Sequence, residues 1–205
     1  MISVTVQRPS TTRMHPIAKF ALTLLIGLAA LPVLAKQQPE PEPARPPLEL
    51  PRLMGTWYVI ARIPNPVERG HVASRDEYTL KDKNSVGVRY VYREGFGEPE
   101  QEKTARASVD ADSGNYDWRV WFYKVVPTKQ RILEVAPDYS WMLISWPGRD
   151  LAWIFARSPD MSNDEYRKLV NKLRDDYGIN TDKLKRVPQR QEQVDKLGFE
   201  MPNVR

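Results

Sequence analysis

The sequence contains no cysteine and only two histidines, His15 and His71, among its 205 residues. The first absence excludes a disulfide scaffold, a thiolate nucleophile and any Cys-based zinc or iron–sulfur centre. The second leaves too few imidazoles for a multi-His metal site. It also leaves one candidate base for a Ser-His-Asp constellation, His71, which falls in an apparent loop. Acids are missing from the first 35 residues, where Arg8, Arg13 and Lys19 lie. Three of the 31 basic residues are therefore confined to that segment, and the remaining 28 face 26 acids. The formal charge of +5 is largely an N-terminal property, and no nucleic-acid partner is expected from it.

Long apolar runs are also scarce. The single strong one extends from Phe20 to Leu31, preceded by Lys19 and followed by Val33 and Ala35 at the spacing of a signal-peptidase site. It is short for a spanning helix, which needs ~20 apolar residues. Residues 1–35 therefore read as a secretory signal cleaved after Ala35, with Met1 or Met14 as the start. Lys36, not a cysteine, follows the small residues, so the mature chain is expected in the periplasm or outside the cell without a lipid anchor. Residues 36–51 hold six prolines and read as an extended linker. The folded part is expected over 52–188, with a strand-like fragment at Lys185–Val187 just ahead of a mobile polar tail at 189–205.

From Gly55 to Arg157 the chain is rich in Val, Tyr, Trp, Phe and Ile, and turn residues interrupt it about every ten positions. Eight strands are predicted: Thr56–Arg62, Ser74–Lys81, Val86–Arg93, Lys103–Val109, Tyr116–Val125, Arg131–Ala136, Trp141–Trp146 and Leu151–Arg157. Alternation is clearest in the fifth, where Tyr116, Trp118, Val120 and Phe122 share one apolar face. The pattern predicts an all-β, antiparallel domain. Eight hairpin-connected strands close into a barrel able to hold one small ligand, though alternation alone also suits a sandwich. After Arg157 the period changes. Ser162-Asn163-Asp164-Glu165 fits a capping box, and Tyr166, Leu169, Val170, Leu173 and Tyr177 recur at helical spacing up to Gly178. One amphipathic helix is expected on the outside of the barrel.

Three segments together resemble the lipocalin signature. Gly55-Thr56-Trp57-Tyr58 carries the Gly-x-Trp that opens the first strand. Asp138-Tyr139 stands where the family has Thr-Asp-Tyr, with Pro137 replacing the Thr. Arg157 ends the eighth strand. The stretch GTWYVIARIPNPVERG is similar to bacterial lipocalins and to apolipoprotein D, and the resemblance covers roughly residues 50–187. It implies an eight-stranded up-and-down antiparallel β-barrel with one C-terminal α-helix packed outside. In such a meander the three segments converge at one end, so Gly55, Trp57, Asp138, Tyr139 and Arg157 are read as structural, with Arg157 over the Trp57 ring.

The same resemblance orients the interior. Trp57, Val59 and Ala61 are expected to point inward, with Asp76 and Tyr78 on the second strand. Ala105 and Ala107 follow on the fourth, Trp118, Val120 and Phe122 on the fifth, Ile132 and Glu134 on the sixth, and Trp153 and Phe155 on the eighth. The third strand leaves its inward face open between Val88, Tyr90, Tyr92 and Arg89, Val91, Arg93, and Val91 is taken as a ligand contact. A buried Asp76 or Glu134 would need a partner, for which Arg89 or Arg93 is available. Arg69, His71, Lys124, Lys129 and Arg149 are expected at the rim of the open end.

The function so implied is binding, storage or transport of a fatty acid or lysophospholipid, with peripheral cell-envelope association and a role in membrane maintenance. No cofactor, metal or catalytic residue is expected. Two alternatives stay open: a lipocalin-fold enzyme using Asp76 or Glu134, and a dimeric interaction module presenting Trp121, Tyr123 and Trp141. An interior packed solid by the same side chains is also open.

Overall fold

The structure is a computed structural model and describes residues 45–122 and 127–204. The expected signal segment, Met14, the start of the proline-rich linker, Tyr123 and Lys124 lie outside the described residues.

Eight antiparallel strands follow one another: β1 (Gly55–Arg62), β2 (Val72–Asp82), β3 (Ser85–Arg93), β4 (Gln101–Asp110), β5 (Asp117–Phe122), β6 (Thr128–Val135), β7 (Trp141–Ser145) and β8 (Ala152–Ala156). Each pairs with the next, and β1 pairs with both β2 and β8. The sheet is thus closed into an up-and-down barrel, which removes the free edges that a layered sheet would keep. A short helix, α1 (Leu50–Leu53), precedes the barrel, and α2 (Asn163–Asp175) follows it. The two-residue strand β9 (Lys185–Arg186) pairs with the second half of β1.

Two apolar clusters lie on the two faces of the wall. The inner one gathers Trp57, Tyr78, Val86, Val88, Tyr90, Tyr92, Ala107, Trp118, Val120, Ile132, Trp153 and Phe155. The outer one places Leu169 and Leu173 of α2, both fully buried, on Ile60, Ile63, Leu133, Leu143 and Ile154. Each such leucine contributes about 1.5–3 kcal/mol. α2 starts where Ser162 Oγ accepts from Glu165 N at 3.1 Å and ends before Gly178 at φ +64°. Because α2 covers their outer faces, β7 and β8 are buried on both sides and read as nearly continuous apolar runs.

Two bulges break the alternation the sequence suggests. Between Val59 and Ala61 the pairing of β1 with β8 shifts register, and Ala61 joins the outer cluster beside Ile60 instead of pointing in. Between Ile132 and Glu134 the pairing of β6 with β7 shifts likewise. Glu134 therefore faces α2, accepting from Tyr177 Oη at 2.9 Å and pairing with Lys172 Nζ at 3.1 Å. One extra residue reverses every side chain beyond it. On β3 the inward face is Val86, Val88, Tyr90 and Tyr92, so Val91 lies on the other face. Asp76 finds its partner in Tyr78, while Arg89 pairs outside with Glu77 and Glu102, and Arg93 donates to Glu98 O. Trp141 is packed against the outer cluster, which takes it out of any exposed aromatic face.

One end of the barrel is closed by the three motif segments. The Arg157 guanidinium sits 3.7 Å from the centroid of the Trp57 ring, its Nη1 donates to Thr56 O at 2.8 Å and its Nη2 to Arg52 O at 2.6 Å. Trp57 Nε1 donates to Leu53 O at 2.7 Å. Gly55 takes φ +93°, and a Cβ there would meet Arg157 Nη1 at 3.4 Å. Asp138 holds the adjoining turn by accepting from Ser140 N, and the Ser140 hydroxyl together with that N–H lowers its carboxyl below the usual range. Tyr139 Oη accepts from Glu49 N at 2.9 Å while Arg52 covers its ring at 4.0 Å.

The proline-rich segment also differs from the expected free linker, because from Arg45 onward it is part of this floor. Leu48 N donates to Gly114 O, Arg45 Nη1 to Leu133 O, and Leu48 and Leu50 are buried. Proline forbids ladder pairing, but a first helical turn has orphan N–H groups anyway, so Pro51 is tolerated in α1.

Candidate functional site

The open end is built differently. Beyond Tyr58 and Arg75 the main chains of β1 and β2 stop pairing, and a segment from the far C-terminal region fills the gap. Val187 N donates to Ile60 O, Ala73 N to Pro188 O, and Gln189 Nε2 bridges Val59 O at 2.8 Å and Ser74 O at 3.1 Å. The chain then turns back along the loops of this end. Glu200, buried, pairs with the fully buried Arg62 at 2.8 Å and accepts from Gly70 N at 3.0 Å. Asn203 N donates to Gly70 O and Val204 N to Glu94 O. A Cβ on Gly95 would lie 2.1 Å from Val204 O, so only glycine admits this crossing. The tail is a strap that pins the loops after β1 and β3, not the mobile end that its composition suggests.

The loop after β1 folds into the mouth. Asn65 is buried and its Oδ1 accepts from Val67 N and Glu68 N, an Asx-type turn that aims Glu68 inward. Glu68 Oε2 accepts from Asn65 Nδ2 at 3.1 Å and from Trp153 Nε1 at 2.8 Å. His71, expected on a solvated rim, is buried. Its ring stacks on Tyr92 at 3.7 Å, its Nδ1 hydrogen-bonds Tyr90 Oη at 2.9 Å and its Nε2 lies 3.4 Å from Glu94. Burial outweighs the Glu94 attraction and lowers its pKa to about 4, so the ring is neutral near pH 7.

Below this loop a cavity of about 360 Å³ occupies the upper barrel. Val59, Val88, Val120, Phe122, Leu151, Trp153 and Phe155 supply apolar wall, Thr128 and Gln130 a polar strip on β6, and Lys103 and Arg149 the cations. Its volume falls within the range of small-molecule pockets. Lys103 Nζ reaches up over the Tyr92 ring at 4.8 Å, and the exposed Arg149 covers Trp146 at 5.3 Å. The interior is therefore neither solid nor wholly apolar. Asp76 lines it too, accepting from Tyr78 Oη at 3.1 Å. Burial, then the neighbouring Glu68, push its carboxyl up to about 7.

Of the residues expected to line a ligand site, Val59, Asp76, Val120, Phe122, Trp153 and Phe155 border this cavity. Tyr78, Ala105, Ala107, Trp118 and Ile132 belong to or pack on the inner cluster and do not border it. Ala61, Val91 and Glu134 face away from it. Of the expected rim cations, Arg149 is at the mouth, Arg69 is exposed, and Lys129 is exposed on the outer face opposite Arg119. Lys103 shares the face of Ala105 and Ala107 by alternation but was not carried into the expected site, and Asn65, Glu68 and Trp146 were not expected there either. The turn chemistry of Asn65-Pro66 is the one sequence signal that could have marked the inserted loop. Among the described residues no group of three or more metal-ligating side chains occurs.

A family model described as a lipocalin-like domain matches residues 48–189. The chain belongs to this family. Temperature-induced lipocalin-1 of Arabidopsis thaliana is 30% identical over 152 residues, covering 69% of this chain and 80% of the relative. The outer membrane lipoprotein Blc of Citrobacter freundii is 27% identical, over 65% of this chain and 75% of its own. Its counterpart in Vibrio cholerae is 25% identical, over 73% and 88%. Lobster apocrustacyanin A1 superposes with a TM-score of 0.56 at 17% identity, over 69% of this chain and 80% of that one. Insecticyanin of the tobacco hornworm Manduca sexta gives 0.55 at 15%, over 76% and 86%. These two likenesses concern the lipocalin fold alone.

Proposed function

We propose that this lipocalin binds and carries a single-chain lipid, a fatty acid or a lysophospholipid, with its tail in the barrel and its acidic head at the mouth. The observation that carries the reading is the cavity of about 360 Å³, walled by Val59, Val88, Val120, Phe122 and Phe155 and rimmed by Lys103 and Arg149. Each buried methylene contributes ~0.8 kcal/mol. Several of them, less the cost of association, give micromolar affinity without special chemistry. The mouth cations add a charge-assisted contact to a carboxylate or phosphate. Carriage needs no bond making, and the reading is of a carrier, not an enzyme.

We also place the protein in the bacterial cell envelope. Support comes from the relatives named outer membrane lipoprotein and from the apolar run ahead of Ala35. Those relatives are lipoproteins by name, whereas this chain has no cysteine to carry such a lipid. Peripheral association through the ligand's own membrane is then the expected mode of contact.

The test is titration of the full chain with a fluorescent fatty acid, followed by displacement with unlabelled fatty acid and lysophospholipid. Saturable micromolar binding that both compete is expected. Linear, non-saturable signal overturns the reading. Native mass spectrometry of protein from its own host adds a second check, since a co-purified monoacyl lipid is expected.

A further inference from the structure

The cavity wall holds more polarity than a plain alkyl chain needs. The register of β2, β3 and β4 sets Asp76 opposite Tyr90 and Tyr90 opposite Lys103, so these three are lateral neighbours in one row of the wall. Lys103 leaves the row by reaching up to Val67 O and the Tyr92 ring, and its ammonium ends at the mouth. Asp76 stays in the row and borders the cavity. Its Oδ2 accepts from Tyr78 Oη, while Glu68, the nearest other acid, is engaged by Asn65 and Trp153. Among the described residues neither acid has a cation within ion-pair distance: Arg62 pairs instead with Glu200, Arg75 with Glu100, and Arg89 with Glu77 and Glu102. The carboxyl held at about 7 is the mark of that isolation.

A saturated chain lying along Asp76 would strip it of water and offer nothing in return, which is costly for a buried acceptor. A ligand that carries its own donor at that level turns the cost into a contact. The donor must sit a short way along the chain from the head, because Asp76 and the base of Lys103 share one row. Resting on the reading of the cavity as an acyl site, we infer that it selects acyl ligands bearing a hydroxyl a few carbons from the acidic head. In that pose Lys103 and Arg149 hold the head, and Asp76 accepts the hydroxyl proton in a hydrogen bond. A site that hydrogen-bonds a hydroxyl discriminates strongly against the analogue lacking it, since the wall acceptor is then left unpaired.

The experiment is displacement of a fluorescent fatty acid from the full chain by β-hydroxymyristic acid and by myristic acid at neutral pH. The hydroxy acid is expected to bind on the order of tenfold more tightly. In Asp76→Leu the two acids should bind alike. Should that variant fail to fold, Asp76→Asn keeps the volume and a weaker, neutral acceptor, and the preference should shrink severalfold. Equal affinities in the unaltered chain overturn this inference and leave the acyl reading intact. A preference that persists undiminished in the Asp76 variants overturns the assignment to Asp76. If neither acid displaces the probe and the probe itself does not saturate, the acyl reading fails with it.

Discussion

The two ends of the barrel solve opposite problems with different materials. At the closed end the polar groups are all committed: Trp57 Nε1 to Leu53, Arg157 to Thr56 and Arg52, Tyr139 to Glu49. What remains there is the aromatic surface of Trp57 and Tyr139, covered by the guanidinium groups of Arg157 and Arg52. At the open end polar groups are buried as well, and two of them, Asn65 and Asp76, border the cavity. Asp76 has a single hydroxyl partner, His71 is held neutral, and the buried Arg62 relies on a residue near the other end of the chain, Glu200. A closed end can be optimised for stability alone, whereas an entrance must keep some polarity for its ligand. The contrast assigns the motif residues to stability and the unremarkable residues of the loops to ligand handling.

The comparison breaks most directly at Trp57. Trp57→Ala removes the plug of the closed end and should cost about 4 kcal/mol of stability, read as a large drop in melting temperature. Arg157→Ala should follow with a smaller loss, since a cation–π contact of about 0.5–2 kcal/mol goes with two hydrogen bonds. Neither should change which lipid the residual folded protein prefers, and a changed preference at unaltered melting temperature would contradict the division of labour.

At the other end, Glu200→Ala leaves Arg62 buried without its counter-charge and should cost about 3 kcal/mol. Here the second readout matters more. The strap releases the loops after β1 and β3, so stopped-flow exchange of a fluorescent fatty acid should speed up several-fold, which Arg157→Ala should not do.

The pH response sharpens the contrast further. Asp76 has a pKa of about 7 against an ordinary 3.8, so the folded state holds a proton that the unfolded chain has already released. Its penalty is absent below about pH 4, grows up to about pH 7 and is complete above. His71 does the reverse. Its pKa of about 4 against 6.5 leaves its contribution intact above about pH 6.5 and erodes it as the pH falls towards 4. Between those limits the two slopes oppose. The unaltered protein should therefore have a nearly flat stability profile there. Asp76→Asn should unmask a loss on acidification, and His71→Phe a gain. Each change should be about 2 kcal/mol across the window, below the ~4 kcal/mol that a dry site would give. Parallel profiles for all three proteins would sink this account.

The smallest effect belongs to the outer wall. Tyr177→Phe removes the hydrogen bond to Glu134 and should cost about 1 kcal/mol in denaturant melts, without touching lipid affinity. A loss of affinity would return Glu134 to the interior, where alternation had placed it.

Much of this was legible in the residues. All eight strands were marked by runs of β-branched and aromatic residues between turn residues, because strand identity is a local property of spacing and side-chain shape. The helix was marked by Ser162 and the stripe from Tyr166 to Tyr177, also local signals. The meeting of Gly55, Trp57 and Arg157 followed once the resemblance to lipocalins had supplied the up-and-down topology. Glu134 and Ala61 were misassigned for one shared reason. Alternation carries no record of a bulge, and a single extra residue inverts the face of everything beyond it. Lys103 was missed because its neighbours Glu102 and Thr104 make that part of β4 look like a solvated edge.

By itself, then, the sequence determined eight strands and an outer helix, since each depends on residues close together, and its resemblance to lipocalins supplied the closed meander and the plugged end that strand patterning alone left open. The tertiary structure alone decided which carboxyls border the cavity, that His71 is buried, and that the segment up to Val204 straps the loops after β1 and β3. Those outcomes join Arg62 to Glu200 and Gly70 to Asn203, and set Asp76 and Lys103 on either side of Tyr90, across separate strands and loops. Burial and pairing of charge are properties of that assembled surface, and no short window of sequence carries them.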